Sequence, residues 1–255
     1  MPVTVETVAA DHGDPQSLAR ALAGVGTAFL VTNRIAGDDD ARFVRAASKA
    51  GVRRLVKLSA AAVLDPDADD LITRWQRANE ELLRASGMEW TLLRPRAFMS
   101  NSLSWVPSIR SERVVRTLHG TSANACVDPR DIAEVAVRVL TEEGHAGKAY
   151  TLTGPEAITA AEQTDQLGRL LGIPLRFEEL TPDEARDGLA KRWPAPVVQA
   201  LLESAERQRG GAKAGVDDTV RAVTGRRAGT FDAWARDHLA AFTPDLAAGR
   251  PRVPG

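Results

Sequence analysis

The run "RPRAFMSN", Arg94 to Asn101, brings two guanidiniums, an aromatic ring, a thioether and an amide close together. Arg94 precedes Pro95, which holds its backbone extended, and its guanidinium suits a phosphate, a carboxylate or a structural salt bridge. Arg96 hints at an anionic substrate, although plain solvent exposure is its expected state. Phe98 and Met99 suit either a cleft wall or ordinary core, and Asn101 supplies a directional hydrogen bond. Gln76 cannot exchange a proton at neutral pH but can hydrogen-bond a carbonyl. Trp75 beside it is large enough to line a cleft, yet Leu71, Trp75, Ala78 and Leu82 also make one helical core stripe. Arg94 is a catalytic candidate by its own chemistry. Trp75, Gln76, Arg96, Phe98, Met99 and Asn101 are the substrate-contact candidates.

The remaining reactive side chains say less. His119 and His145 fall in turns without a carboxylate at metal-ligand spacing, so no metal site is expected. His238 lies on the apolar stripe of a closing helix and is expected to pack there. Cys126 has no nearby histidine to activate it and reads as a small buried residue.

These residues need a scaffold, and the chain alternates strand-like with helix-like segments. "TAFLVTN", "VRRLVKLSA" and "EWTLLRP" are strands; "DPQSLARALAGV", "DDDARFVRAASKAG" and "DDLITRWQRANEELLRASG" are helices. Such alternation predicts a parallel sheet with helices on both faces. The β-branched run from Val3 to Ala10 predicts one more strand at the start. Asp128 and Pro129 cap a helix carrying Ile132, Val135, Ala136 and Val139, and Thr159 with Glu162 and Thr181 with Glu184 have capping-box spacing. Beyond about Gly147 helices dominate. "RQRGGAKAG" reads as an exposed flexible connector, and "RAGTFDAWARDHLAAF" as a single amphipathic helix. In open α/β sheets ligands sit beyond the carboxyl ends of the strands. That rule singles out Asp11 and His12, Thr32 and Asn33, Ser59 and Ala60, and Arg94 to Asn101.

The totals narrow the partners. Thirty-three basic residues against 34 acidic ones give no field that favours nucleic acid or an anionic membrane. One cysteine excludes an intrachain disulfide framework and points to the cytoplasm. No apolar run approaches a membrane span. A small-molecule substrate is expected, with a homo-oligomer left open.

"SGMEWTLLRPRAFMSN", "DPRDIAEVAVRVL" and "GHAGKAYTLTGPEAIT", in that order and spacing, resemble the NmrA-like group of atypical short-chain dehydrogenases/reductases, which includes NAD(P)H-dependent quinone-reductase-like enzymes. The resemblance runs from about Val5 to Phe242. It implies a Rossmann-like domain over 1–146 and a smaller, mostly helical substrate lobe over 147–255. It also implies NADP or NAD beside Asp11, His12, Thr32, Asn33, Ser59 and Ala60, and it makes Gln76 a catalytic candidate together with Arg94.

Two family features are not in this sequence. No G-x-G-x-x-G-like stretch follows any strand, although those glycines let backbone N–H groups approach a pyrophosphate. The expected fold is thus α/β, with a Rossmann-like parallel sheet missing its first two strands. Either the N-terminus is incomplete or the opening strand has moved beside "TAFLVTN". In the second case Asp11 and Asp14 would repel a pyrophosphate and cofactor affinity would be poor or lost. Nor is there a Tyr-x-x-x-Lys pair, since the one tyrosine, Tyr150, has no lysine four residues on. Three readings stay open: an NAD(P)H-dependent oxidoreductase acting on a quinone- or carbonyl-like metabolite, a cofactor-independent lyase, isomerase or cyclase, and a non-catalytic metabolite or redox sensor.

Overall fold

The computed structural model describes residues 5–243. Six strands form: β1 (Thr27–Leu30), β2 (Arg54–Leu58), β3 (Glu89–Pro95), β4 (Val114–Thr117), β5 (Lys148–Leu152) and β6 (Arg176–Glu179). Four of them make a parallel sheet in the order β1-β2-β3-β5, and β4 pairs with β6, also in parallel. Helix α1 (Pro15–Ala21) precedes β1, α2 (Asp39–Lys49) joins β1 to β2, and α3 (Leu71–Arg84) joins β2 to β3. Helices cover both faces, as parallel strands buried on two sides require. On one face α5 (Pro129–Thr141) sets Ile132, Val135 and Val139 against Val56, Leu93 and Leu152. On the other, Val44 of α2 and Leu83 of α3 pack on Leu30, Leu55 and Leu92.

Around β4 and β6 lie α4 (Val106–Glu112), α6 (Ala160–Leu171), α7 (Pro182–Ala190), α8 (Ala195–Arg209), α10 (Phe231–Asp237) and α11 (Leu239–Phe242), while α9 (Thr219–Thr224) packs on α5 and β5. Their core joins Met99, Ile109, Val115 and Leu167 to Phe231, Trp234 and Phe242. The helix starts follow their sequence signals. Asp128 accepts from the Arg130 N–H at 2.8 Å, and both capping boxes, Thr159 with Glu162 and Thr181 with Glu184, are formed.

Five expectations need correction. Val5 to Ala10 form no strand, and Val5 and Val8 are exposed; β-branched residues do not make a strand without a ladder to join. Val3, at the head of that expected strand, lies outside the described residues. A boundary at 146/147 cuts off β5, which hydrogen-bonds to β3 from Thr91↔Lys148 to Pro95↔Leu152. The closing helix is two short ones, broken at His238, whose ring stacks on Trp234 with centroids 4.4 Å apart and whose Nδ1 lies 2.7 Å from the Trp234 carbonyl oxygen. On α3 the expected stripe is not the buried face: Ala78 is exposed, while Thr73, Gln76, Asn79, Glu80 and Leu83 are buried. Internal partners hold two of these polar residues, Thr73 through Asp70 and Glu80 through Ser59 and Arg94. Finally, "RQRGGAKAG" is no loose connector. It ends α8 and turns through Gly211 (φ 87°), and the carbonyl of Lys213 then accepts from the Ala125 N–H at 3.0 Å.

Candidate active site

Several of the polar residues at the carboxyl ends of the strands are engaged inside the fold. Glu80 of α3 is the hub: its carboxylate accepts from Ser59 Oγ at 2.6 Å and from Arg94 Nε and Nη2 at 2.9 and 2.6 Å. Burial would raise the Glu80 carboxyl, but the hydrogen bonds from Arg94 and Ser59 outweigh it and hold the group below its usual range. Arg94 is thus the bidentate partner of a buried acid. Thr32 donates to Asp40 at 2.6 Å, and Asp40 forms a fully buried ion pair with Lys57. Lys57 also lies over the Trp75 ring, 5.8 Å from its centroid, while Trp75 Nε1 donates to the Gly37 carbonyl at 3.3 Å. Asp11 closes a turn by accepting from the Gly13 N–H at 2.7 Å, His12 packs on Phe43, Asn33 is exposed, and Ala60 leads into a short 3₁₀ turn at Ala61–Leu64.

Beyond the end of β3 a cavity of about 560 Å³ opens, in the size range of small-molecule sites. Of the substrate candidates it gathers Phe98, Met99 and Asn101; Trp75, Gln76 and Arg96 do not line it. Met99 is both wall and core. Asn124, Cys126, Gln163, Gln208 and Lys213 supply the polar wall, and α7 and α8 close the far side. The Cys126 wall is fixed by a close crossing, since a Cβ on Gly154 would meet the Cys126 carbonyl oxygen at 2.2 Å. Burial pushes the Cys126 thiol up, with Gln163 and Lys213 opposing.

Beside Lys213 of the cavity wall lies a basic cluster. Arg207 of α8 pairs with Asp65 at 3.4 Å and with Asp70 at 2.5 Å, tying the second group of elements to the start of α3. Burial would raise the Asp70 carboxyl, but bonds from Thr73 and the charge of Arg207 bring it below its usual value. Two further cations face this cluster without an ion pair among the described residues. Lys213, on the cavity wall, has its ammonium pushed down to about 8 by burial and by Arg207 and Arg96. Arg96 is half-buried rather than exposed as expected. Its Nε has no partner, and burial lowers its guanidinium against the pull of Asp65. Sequence reasoning found Arg96 and missed Lys213, because only the turn after α8 and its bond to Ala125 bring that lysine to the cavity.

A nicotinamide dinucleotide has two ends, and the chain treats them differently. His12 Nδ1, Gln76 Oε1 and Asn79 Nδ2 are buried without hydrogen-bond partners, and each such atom costs about 1–3 kcal/mol if left unpaired. A donor and an acceptor one turn apart on α3 fit a carboxamide. For the diphosphate, the starts of α1, α2 and α3 already hold carboxylates: Asp14 accepts from the Gln16 N–H at 2.9 Å on α1, Asp39 and Asp40 open α2, and Asp70 accepts two N–H groups on α3. The residues present fit the nicotinamide end, while the starts of α1, α2 and α3 present carboxylates to a diphosphate.

Comparison with known proteins agrees with this architecture. A sequence model described as NAD(P)H-binding matches residues 2–143. The chain is 58% identical over 241 residues to a (4-alkanoyl-5-oxo-2,5-dihydrofuran-3-yl)methyl phosphate reductase of Streptomyces griseus, covering 94% of this chain and 86% of that protein. It is 36% identical to the NAD(P)H azoreductase of Xenophilus azovorans, over 93% of this chain and 84% of the relative. The crystal structure of an NADPH-dependent quinone oxidoreductase from Escherichia coli superposes with a TM-score of 0.77 at 25% identity, covering 91% of this chain and 82% of that one. With its parallel sheet, helical second layer and matching sequence, the chain belongs to the NAD(P)H-binding family, among the NmrA-like atypical short-chain dehydrogenases/reductases.

Proposed function

We propose that this protein is an NAD(P)H-dependent reductase of a small conjugated carbonyl compound that carries a phosphate ester, of the kind named for its Streptomyces griseus relative. The observation that carries the reading is the pair Arg96 and Lys213, two neighbouring desolvated cations without an ion pair among the described residues, of which Lys213 stands on the wall of a cavity whose far side is apolar. Two like charges held half out of water are costly alone and are offset by a bound dianion.

Bound NAD(P)H supplies hydride to an electron-poor double bond. Gln76 and Asn79 would hold its nicotinamide end through their free amide atoms. Arg96 and Lys213 grip the phosphate, Phe98 and Met99 give the ring an apolar wall, and the exposed amide of Asn101 donates to a carbonyl oxygen. In a ring alkene flanked by lactone and ketone carbonyls, negative charge developing during reduction is shared by both oxygens. Water then suffices as the proton source, which agrees with a chain without a Tyr-x-x-x-Lys pair. Arg94 is a positioning residue that fixes Glu80 and the polar face of α3.

The test is steady-state reduction of the phosphate ester at saturating NADPH by wild type and by Arg96→Gln. Loss of a charge-assisted hydrogen bond worth about 1.5–3 kcal/mol should raise KM about 10- to 100-fold with kcat little changed. Unchanged KM sinks the assignment of Arg96. Turnover without NAD(P)H would instead favour a lyase or isomerase on the same scaffold.

A further inference from the structure

The α7–α8 end of the cavity is built differently from the wall at Lys213. Leu118, Leu180, Leu189 and Leu201 line it and are only half-buried, although they border a tightly packed cluster of Ala185, Val198 and Leu202. The charged groups on that side are already satisfied. Arg116 pairs with Glu112 and Glu178, each at 2.7 Å, and Glu184 closes the capping box with Thr181. Nothing there asks for a polar ligand.

Gly188 lines the same end from the interior of α7. Its φ is not positive, and a Cβ built on it would meet no atom within 4 Å. Neither backbone conformation nor close packing calls for glycine, which in a helix interior costs about 1 kcal/mol relative to alanine. Gly188 is exposed, and what the missing side chain leaves is open space at the rim of the same leucine-lined end. Ala205, facing from α8, is also small.

We propose that the α7–α8 end of the cavity is an alkyl-chain subsite for an unbranched acyl tail, and that Gly188 sets the tail length it accepts. The occupant is amphiphilic, with its anionic head at Lys213 and Arg96 and its tail along the half-buried leucines. The head assignment rests on the function proposed above; the tail assignment is argued from the leucines and Gly188 and deepens that reading, whose compound carries an alkanoyl group.

Calorimetric titration of the full chain with inorganic phosphate and with butyl, hexyl, octyl and decyl phosphate, below micelle-forming concentrations, separates the two. Each buried methylene should tighten binding about fourfold until the subsite is full. Gly188→Leu, which favours the helix and so should fold, should end that rise at a shorter chain. It should weaken octyl phosphate at least tenfold and leave inorganic phosphate unchanged. Ala205→Leu on the facing helix should do the same. Arg96→Gln should weaken every ligand by one common factor. A wild-type affinity that does not change with chain length overturns the proposal, as does a Gly188→Leu variant that binds octyl phosphate like wild type. If Arg96→Gln changes nothing while the chain-length dependence persists, the anionic head is wrong and the alkyl subsite stands.

Discussion

Replacing Lys213 with methionine should stabilise the ligand-free protein while damaging its activity. In the fold the ammonium is lowered from 10.5 to about 8, chiefly because burial and the neighbouring Arg207 and Arg96 disfavour its charge. At 1.36 kcal/mol per pKa unit, that lowering amounts to about 3 kcal/mol, and the water still reaching a half-buried side chain reduces it to about 1–3 kcal/mol. The sign follows from proton counting. Between pH 8 and 10.5 the unfolded chain holds a proton on this lysine that the folded chain has released, so stability rises with pH across that window. Below about pH 8 both states are charged and the folded one bears the full penalty. Urea denaturation at pH 7 should therefore show Lys213→Met about 1–3 kcal/mol more stable than wild type, with the gap narrowing as pH approaches 10. Added inorganic phosphate should narrow it too, by stabilising wild type alone. A variant less stable than wild type at pH 7, or a gap that ignores pH, refutes the reasoning.

Further outcomes follow from the same geometry. Arg94→Leu removes the bidentate partner of buried Glu80 and should lower stability by about 3 kcal/mol, read as a shifted urea midpoint. As Lys213 loses its charge, kcat/KM for a phosphate-bearing substrate should fall above about pH 8, whereas an uncharged quinone should show no such fall.

Periodicity and caps made the sheet, its crossovers and the openings of α5, α6 and α7 legible in the sequence, because each is a local signal. The buried face of α3 was not, because it is polar rather than apolar: Thr73, Gln76, Asn79 and Glu80 are buried, and Glu80 is held by Ser59 and Arg94 from other elements. An apolar-stripe reading selects Ala78 instead, which faces solvent. The cavity wall at Phe98, Met99 and Asn101 followed from the rule for strand ends. Lys213 did not, since it comes from a glycine turn more than a hundred residues beyond β3, and only tertiary packing brings it beside Arg96. Cys126 reads from sequence as a small packed residue, yet it is also part of the cavity wall.

The most direct measurement compares two substrates with the unmodified protein. NADPH consumption is followed with a (4-alkanoyl-5-oxo-2,5-dihydrofuran-3-yl)methyl phosphate and with the matching alcohol that has no phosphate. If Arg96 and Lys213 hold the phosphate, kcat/KM for the ester should exceed that for the alcohol by about 100-fold or more, equivalent to about 3 kcal/mol of charge-assisted binding. Equal rates on the two, or no NADPH-dependent reduction of either, would contradict the account.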